Sequence, residues 1–205
     1  MKMSKPILIN KTLKNFNKKI YVEGDKSISI RFALLASQAI GKSKAFNLLK
    51  SEDVLSTLNC LKKLGVRVKW NKKNNSCEIY GNGLNSYVYK KNLILDAGNS
   101  GTTARLLLST LINGKSEIKI TGDESLKKRD MQRIIKPLQE FGAIFRKNYG
   151  TLPLYIKGTS FVRPINYFED KICSAQVKSA VMLGALFAPG ETVLKCLPSE
   201  IIQSF

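Results

Sequence analysis

The stretch from Asp96 to Arg105 combines two glycines with small polar residues and runs directly into three leucines. This pattern is typical of a turn that exposes the backbone N–H groups at the start of a helix. Those first N–H groups lack partners within the helix, and the helix dipole favours an anion in front of them. Gly98 and Gly101 carry no Cβ, so the backbone there can approach a ligand closely. The stretch predicts an anion-binding turn; an ordinary glycine turn capped by threonine is the alternative.

Similar side chains precede apolar segments at three places in the chain. The three sets are Lys26, Ser27 and Arg31; Asn99, Thr102 and Arg105; and Ser174 with Gln176. Lysine beside serine suits a phosphate, because one supplies a charge and the other a hydroxyl donor. Singly, each residue has a plainer interpretation: a surface lysine, a helix N-cap at Ser174, or an arginine paired with a structural carboxylate. Arg129 is either part of such a site or one of a solvated cluster. Recurrence at matching positions favours a shared oxyanion site.

The 205-residue chain contains no histidine, which excludes a Ser-His-Asp triad, a Cys-His pair and a histidine-ligated metal within it. Proton transfer would use a carboxylate, a lysine or a group supplied elsewhere. The four cysteines are widely spaced without a C-x-x-C pair, which predicts reduced, packed thiols rather than a zinc site or a disulfide framework.

The net charge is +19, from 34 basic against 15 acidic side chains, so the chain attracts polyanions or small anionic substrates. The lysines are scattered, often beside asparagine as at positions 71–75 and 90–92, and form no single basic tract with interleaved aromatics. We therefore expect small anionic substrates and no nucleic acid; a non-catalytic anion- or nucleic-acid-binding module is the alternative. No apolar run reaches the roughly 20 residues of a membrane span, and no signal-peptide segment follows Met1. A cytoplasmic protein without membrane contact is expected.

Hydrophobic spacing predicts a unit of helix, strand, helix and hairpin that recurs about every 75 residues. The predicted helices cover residues 32–40, 51–64, 104–112, 125–141 and 180–188. The predicted strands cover residues 6–9, 19–22, 44–49, 66–70, 77–81, 117–121, 143–146, 152–156 and 193–197. One deeply apolar helix in each copy predicts three helices packed inside, with sheets outside. Their N-termini would then point at one place and attract a doubly charged anion.

Five short motifs occur in order along the chain. They are G-D-K-S-I-S-I-R at 24–31, G-N-S-G-T-T-A-R at 98–105, G-D-E-S-L-K-K-R at 122–129, S-A-Q-V-K-S-A at 174–180 and L-P-S at 197–199. In type and order they resemble the motifs of the 5-enolpyruvylshikimate-3-phosphate synthase (3-phosphoshikimate 1-carboxyvinyltransferase) family. Ile30 stands where the family has Asn or His, and Asp130 where it often has Pro; neither change removes a charged contact.

The resemblance implies an α/β fold, the inside-out α/β barrel of the enolpyruvyl transferases, with repeated units, buried parallel helices and an incomplete third unit. It also implies two parts: residues 1–20, which in the family pack toward a second domain, and residues 21–205, the first of two domains. The reaction would transfer the enolpyruvyl group of phosphoenolpyruvate to the 5-hydroxyl of shikimate 3-phosphate, in aromatic amino-acid biosynthesis. The full-length enzyme would be a monomer that needs no cofactor and no metal.

By motif position, the resemblance assigns two overlapping sets of ligand contacts and a supporting set. Shikimate 3-phosphate would be held by Lys26, Ser27, Arg31, Ser174, Ala175, Gln176 and Ser199. Phosphoenolpyruvate would be held by Lys26, Gly101, Arg129 and Gln176. Supporting residues would be Asn99, Thr102 and Arg105. The UDP-N-acetylglucosamine enolpyruvyl transferase of the same fold is the enzymatic alternative, but Lys26-Ser27 and Gly101-Thr102-Thr103 follow the shikimate pattern and no cysteine occupies a suitable loop.

The family enzyme is roughly twice this length, and its proton acceptor lies in the second domain, so we expect the 205-residue chain alone to be inactive. Residues 200–204 read Glu-Ile-Ile-Gln-Ser. A one-base deletion in codons for the family's R-D-H-T-E would produce that string. We therefore expect a frameshift, real or introduced in sequencing; a genuine short tail is the alternative.

Overall fold

A computed structural model describes residues 17–197 apart from positions 18, 72, 147–149 and 173. Its helices are α1 Lys26–Gln38, α2 Glu52–Lys63, α3 Gly101–Thr110, α4 Glu124–Lys127, α5 Gln132–Glu140 and α6 Ala175–Ala185. Its strands are β1 Ile40–Phe46, β2 Arg67–Asn71, β3 Ser76–Asn82, β4 Leu93–Asp96, β5 Ile118–Thr121, β6 Ile144–Phe145, β7 Leu154–Lys157, β8 Asn166–Ile172 and β9 Val193–Leu197. The strand predicted at 6–9, Ser199 and the tail at 200–204 lie outside the described residues.

Helix α3 lies at the centre of the molecule and packs against both α1 and α6. Ala104, Leu106, Leu107 and Leu108 are completely buried, and so are the polar Thr103 and Ser109, so the helix is enclosed on nearly every side. The amphipathic α2 packs across α1 and α3, and α5 packs on α6. The prediction of interior helices with sheets outside is confirmed.

Three sheets surround these helices, with strand orders β1-β3-β2, β4-β5-β7-β6 and β8-β9. The hairpins predicted at 66–81 and 143–156 are confirmed as the antiparallel pairs β2/β3 and β6/β7. The sequence pattern missed β4 and β8, which pair in parallel with β5 and β9. Strand β4 begins with three consecutive apolar residues and shows no alternation, and its partner follows a whole helix later.

The three inner helices begin several residues earlier than their apolar runs predict. Asp25 caps α1, Ser100 caps α3 and Ser174 caps α6; each side chain accepts the N–H of the third residue after it. Such caps satisfy N–H groups that have no partner within the helix. The polar motif residues, Lys26 and Gly101 among them, therefore lie in the first helical turns rather than in preceding loops.

The single helix predicted over 125–141 is wrong, because α4 and α5 are separated at residues 128–131. The Asp130 carbonyl accepts a hydrogen bond from Arg105 Nη2 at 2.9 Å, and the Met131 N–H donates to the Gly150 carbonyl at 2.7 Å. The Asp130 side chain accepts the N–H of Gln132, the first residue of α5, at 2.8 Å. The Asp130 carbonyl and the Met131 N–H are therefore bound by Arg105 and Gly150 instead of by groups of a continuous helix.

The strand predicted at 19–22 is also wrong. Its apolar side chains Ile20, Tyr21 and Val22 are 66%, 82% and 76% exposed, and this stretch pairs with no strand in the described part of the chain. The strand predicted at 44–49 occurs as β1, which ends before Asn47, where φ is +55°. Strand-like sequence alone does not produce a strand, because the backbone N–H and C=O groups must also find hydrogen-bond partners on an adjacent strand.

No helix within the described ranges is long and apolar enough to cross a membrane.

Replacement of Leu107 by alanine tests the central position of α3. Because this side chain is fully buried, we expect the free energy of unfolding to fall by about 2–5 kcal/mol, measured by urea denaturation. The control is Leu55→Ala on the exposed face of α2, where the side chain is 45% exposed and the expected change is below about 0.5 kcal/mol. Equal losses in the two variants would contradict this arrangement.

The buried cysteines provide a second test. Burial raises the pKa of the Cys60 thiol to about 12 and that of Cys77 to about 11. Because the thiolate is the reactive form, iodoacetamide near pH 8 should label the half-buried Cys196 well before these two in the folded protein. Peptide mass mapping measures the order, and labelling in urea should abolish it. Equal labelling of Cys60 and Cys196 without urea would refute the packing.

Candidate functional site

The start of α1 is tied to the start of α3 through α2. Lys26 Nζ lies 3.1 Å from a carboxylate oxygen of Asp53, the second residue of α2. The Thr103 hydroxyl lies 3.3 Å from the Asp53 carbonyl and 2.8 Å from the hydroxyl of Ser100, the cap of α3. It also lies 2.6 Å from the hydroxyl of Thr57. These bonds fix Lys26 beside the first turn of α3.

Helices α3 and α6 are joined at the same end by a glutamine. Gln176 Oε1 accepts from Arg105 Nη1 at 2.8 Å, and Gln176 Nε2 donates to the Thr102 hydroxyl at 3.1 Å. The oxygen and the nitrogen of the Gln176 amide thus both bind side chains near the start of α3. The sequence prediction named all three residues, and the fold brings them together.

Arg31 joins α1 to α6. Its Nε and Nη2 donate to the Ser179 hydroxyl at 3.1 and 2.8 Å, while Nη1 donates to the Ser27 carbonyl at 3.2 Å. Ser179 in turn donates to the Ala175 carbonyl at 2.7 Å. The alternative in which Arg31 and Arg105 pair with a structural carboxylate is wrong for the described residues, because both guanidinium groups bind neutral oxygens. Their positive charges are therefore not cancelled by direct ion pairs there.

Two guanidinium groups converge beside the first residue of α3. A Cβ added at Gly101 would lie 2.8 Å from Nη1 of Arg105 and 3.1 Å from Nη1 of Arg129. Arg129 is oriented by Asn99, whose Oδ1 accepts from Nη2 at 3.0 Å. Burial, and then the charge of Arg129, lower the pKa of Arg105. An anion placed between the two would relieve this repulsion.

The turn before α3 is held rigidly. Gly98 has φ +58°, its N–H donates to the Asp96 carboxylate at 2.8 Å, and its carbonyl accepts the N–H of Asp123 at 2.9 Å. The Asn99 amide also donates to the Asp123 carboxylate, and this bond, followed by the N–H of Leu126, lowers the pKa of Asp123. The Asn99 side chain is therefore fixed between a carboxylate and Arg129.

The structure thus links the first turns of α1, α3 and α6 to one another by side-chain contacts. Eleven of the twelve predicted site residues lie in or beside these turns and the loop after α4: Lys26, Ser27, Arg31, Asn99, Gly101, Thr102, Arg105, Arg129, Ser174, Ala175 and Gln176. Ser199, the twelfth, lies outside the described residues. Ser174 is an N-cap, its hydroxyl accepting from the Val177 N–H at 3.3 Å. The threonine cap considered for α3 is wrong, because Ser100 is the cap.

Sequence reasoning missed Asp53 and Ser179. Asp53 lies in the first turn of α2, and only the packing of α2 beside α1 gives it a role. Ser179 belongs to the motif at 174–180, where its polar side chain in an apolar helix was the available signal.

The acidic groups at this end of the helices already have partners. Asp25 accepts from the N–H of Ile28, and Asp53 pairs with Lys26. Asp123 caps α4, and Asp130 accepts from the N–H of Gln132. In the described part of the chain, no three or more His, Cys, Asp or Glu side chains are grouped to hold a metal. The arrangement therefore offers cations, hydroxyls and helix N–H groups for an anion.

Comparison with known proteins gives a consistent result. The family model described as EPSP synthase (3-phosphoshikimate 1-carboxyvinyltransferase) matches residues 11–202. A protein named 3-phosphoshikimate 1-carboxyvinyltransferase from Ruthia magnifica subsp. Calyptogena magnifica is 47% identical over 175 residues, which are 85% of this chain and 39% of that protein. One of the same name from Petrotoga mobilis is 43% identical over 180 residues, 87% of this chain and 41% of that protein.

The solved structure of an EPSP synthase from Acinetobacter baumannii superposes with a TM-score of 0.82 at 37% identity. The match covers 89% of this chain and 41% of that one. The chain therefore spans about two fifths of the length of the relatives it matches. The described architecture is the inside-out α/β fold that was expected.

The converging arginines generate a test with inorganic phosphate as the probe. Because Arg129 binds no carboxylate directly in the described residues, Arg129→Gln should weaken phosphate binding at least tenfold, measured by calorimetry. Arg133→Gln, an exposed change of the same charge on α5, is the matched control and should leave the affinity within twofold. Similar losses in both variants would show that net charge alone attracts the anion.

Proposed function

The chain belongs to the EPSP synthase family, and on that premise we propose that its protein transfers the enolpyruvyl group of phosphoenolpyruvate to the 5-hydroxyl of shikimate 3-phosphate, releasing phosphate. This chain would supply the anion-binding part of that site. The observation that carries the proposal is the convergence of Arg105 and Arg129 over Gly101. A Cβ at this position would crowd both guanidinium groups, so the glycine lets them lie close to the first turn of α3.

The phosphoenolpyruvate subsite is proposed around this convergence. Arg129 and Lys26 would pair with its phosphate and carboxylate, the first turn of α3 at Gly101 would supply backbone N–H groups, and Gln176 would donate from its amide. Lys26 is 48% exposed although it pairs with Asp53, so it is accessible to a ligand. A bound phosphate dianion would compete with Asp53 for the ammonium group.

The shikimate 3-phosphate subsite is proposed between α1 and α6. Lys26, Ser27 and Arg31 would contact the ligand from α1, and Ser174, Ala175 and Gln176 from α6, with Ser199 added from beyond the described residues. The contacts of Arg31 with Ser179 and with the Ser27 carbonyl support this, because they hold its charge at the gap between these helices. Asn99, Thr102 and Arg105 would position the contacting groups.

The chemical contribution of these residues is electrostatic. Fixed cations and N–H dipoles that face developing negative charge need no reorganisation during the reaction, which is their main advantage over water. Proton removal from the 5-hydroxyl needs a base, and the acidic groups described at this end of the helices already bind backbone N–H groups or Lys26. We therefore assign the base to a second domain, with residues 21–205 as the first. The proposal includes a cytoplasmic, monomeric enzyme that uses no cofactor.

Titration of the 205-residue chain with shikimate 3-phosphate tests this proposal. We expect saturable binding that Lys26→Gln weakens about tenfold, since a charge-assisted contact is lost. Lys115→Gln, at an exposed lysine beyond the C-terminal end of α3, is the matched control and should have no effect. Phosphate release from both substrates together should be absent with this chain alone.

Equal affinity for inorganic phosphate and for shikimate 3-phosphate would reject the proposed function, because a simple anion-binding module would behave in that way. Turnover of both substrates by the unaided chain would agree with the proposed reaction but would overturn the assignment of the base to a second domain.

A further inference from the structure

The outer face of the first sheet gathers basic residues that are far apart in sequence. The register pairs Lys42 with Tyr80 and Lys44 with Glu78 across β1 and β3, and pairs Arg67 with Tyr80 and Lys69 with Glu78 across β2 and β3. The alternate residues Cys77 and Ile79 are completely buried and face the core. The four cations therefore share the face that points to solvent.

These cations form two parallel rows. Residues two apart on a strand lie about 6.8 Å apart on one face, and next-nearest strands lie about 9.6 Å apart. Lys42 and Lys44 form one row on β1, and Arg67 and Lys69 form the other on β2. At the end of β2 an open groove of about 700 Å³ is lined by Lys44, Lys69, Trp70, Asn71, Lys73, Asn74, Ser76 and Glu78.

Aromatic rings lie among these charges. Phe46, the last residue of β1, is 66% exposed, and Lys44 Nζ lies 4.8 Å from its ring centroid. On the central strand, the Tyr80 ring lies 4.7 Å from the Arg67 guanidinium and 5.8 Å from Lys69 Nζ. An exposed phenyl ring beside a cation is a surface on which an unpaired base can stack.

The negative charge on this face is small. Glu78 is the acidic residue between the two rows, with Lys42 and Lys44 Nζ each 3.9 Å from one of its oxygens. Its other oxygen accepts from the Tyr80 hydroxyl at 2.9 Å, and that bond, together with the lysines, lowers the pKa of Glu78. One carboxylate cannot neutralise four cations, so the face carries a net positive charge.

We propose that the outer face of the sheet β1-β3-β2 binds single-stranded nucleic acid, with phosphates along the rows of Lys42, Lys44, Arg67 and Lys69 and a base stacked on Phe46. This differs from the expectation of no nucleic-acid partner, which rested on the scattering of lysines along the sequence. Strand pairing brings these cations onto one face of the sheet, and their spacing along the sequence does not show this.

A single strand fits this face better than a duplex or an acidic peptide. A duplex presents its phosphates but keeps its bases stacked inside, so it would leave Phe46 unused. An acidic peptide would pair with the cations and would likewise gain nothing from stacking on an exposed ring. Removing the Phe46 ring should therefore weaken binding of a single strand but not of a duplex or an acidic peptide.

The probe is an oligouridylate of about ten nucleotides, titrated by fluorescence anisotropy into the 205-residue chain at several salt concentrations. Four phosphate contacts predict a slope of about −2.8 for log affinity against log salt concentration. The double variant Lys44→Gln/Lys69→Gln should reduce the slope to about −1.4. Phe46→Ser should weaken binding about tenfold and leave the slope unchanged, because it removes stacking without removing charge. An oligothymidylate of the same length tells RNA preference from general single-strand binding.

The matched control is Lys115→Gln/Lys136→Gln, which removes the same charge from two exposed sites elsewhere and should alter the slope little. The proposal is overturned if this control pair weakens binding as much as the sheet pair. It is also overturned if Phe46→Ser has no effect, or if a duplex or polyglutamate competes as well as the oligouridylate. Arg129→Gln should leave oligonucleotide binding unchanged, so failure here and failure of the enolpyruvyl-transfer proposal are distinguishable.

Discussion

The site depends on the packing of α1 and α6 against α3, which lets side-chain contacts link the first turns of the three helices. Helix α3 is buried on nearly every side, so the amphipathic helices and the sheets form a shell around the inner helices. With the helices held in this way, the caps Asp25, Ser100 and Ser174 fix where each begins. Donors that are far apart in sequence are thereby brought to one end of the molecule.

The polar contacts at that end hold positive charge without cancelling it. Arg31 binds a hydroxyl and a carbonyl, Arg105 binds an amide oxygen and a carbonyl, and Arg129 binds an amide oxygen. Neutral acceptors orient a guanidinium group but leave its charge available to a ligand, whereas a carboxylate would neutralise it. Lys26 is the exception, because Asp53 holds it. An anionic ligand would therefore meet oriented cations already in place.

Several features were predictable from local sequence because local physics decides them. The apolar runs predicted the interior helices, and the alternation at 66–70 and 77–81 predicted the hairpin β2/β3. The break between α4 and α5 was not predictable, because it depends on Arg105 of another helix binding the Asp130 carbonyl. The parallel partners β4 and β8 were missed for the same reason, since each pairs with a strand that is distant in sequence.

By itself the sequence determined which residue types gather at the starts of three apolar helices, the absence of histidine chemistry, and the motifs that resemble one family. Only the tertiary structure decided which partners these residues have: Ser179 for Arg31, Gln176 for Arg105, and Asp53 for Lys26. It also decided that lysines and an arginine from two strands share one face of a sheet. The physical reason is that composition and periodicity follow neighbours along the chain, whereas charge pairing and clustering follow distance in space.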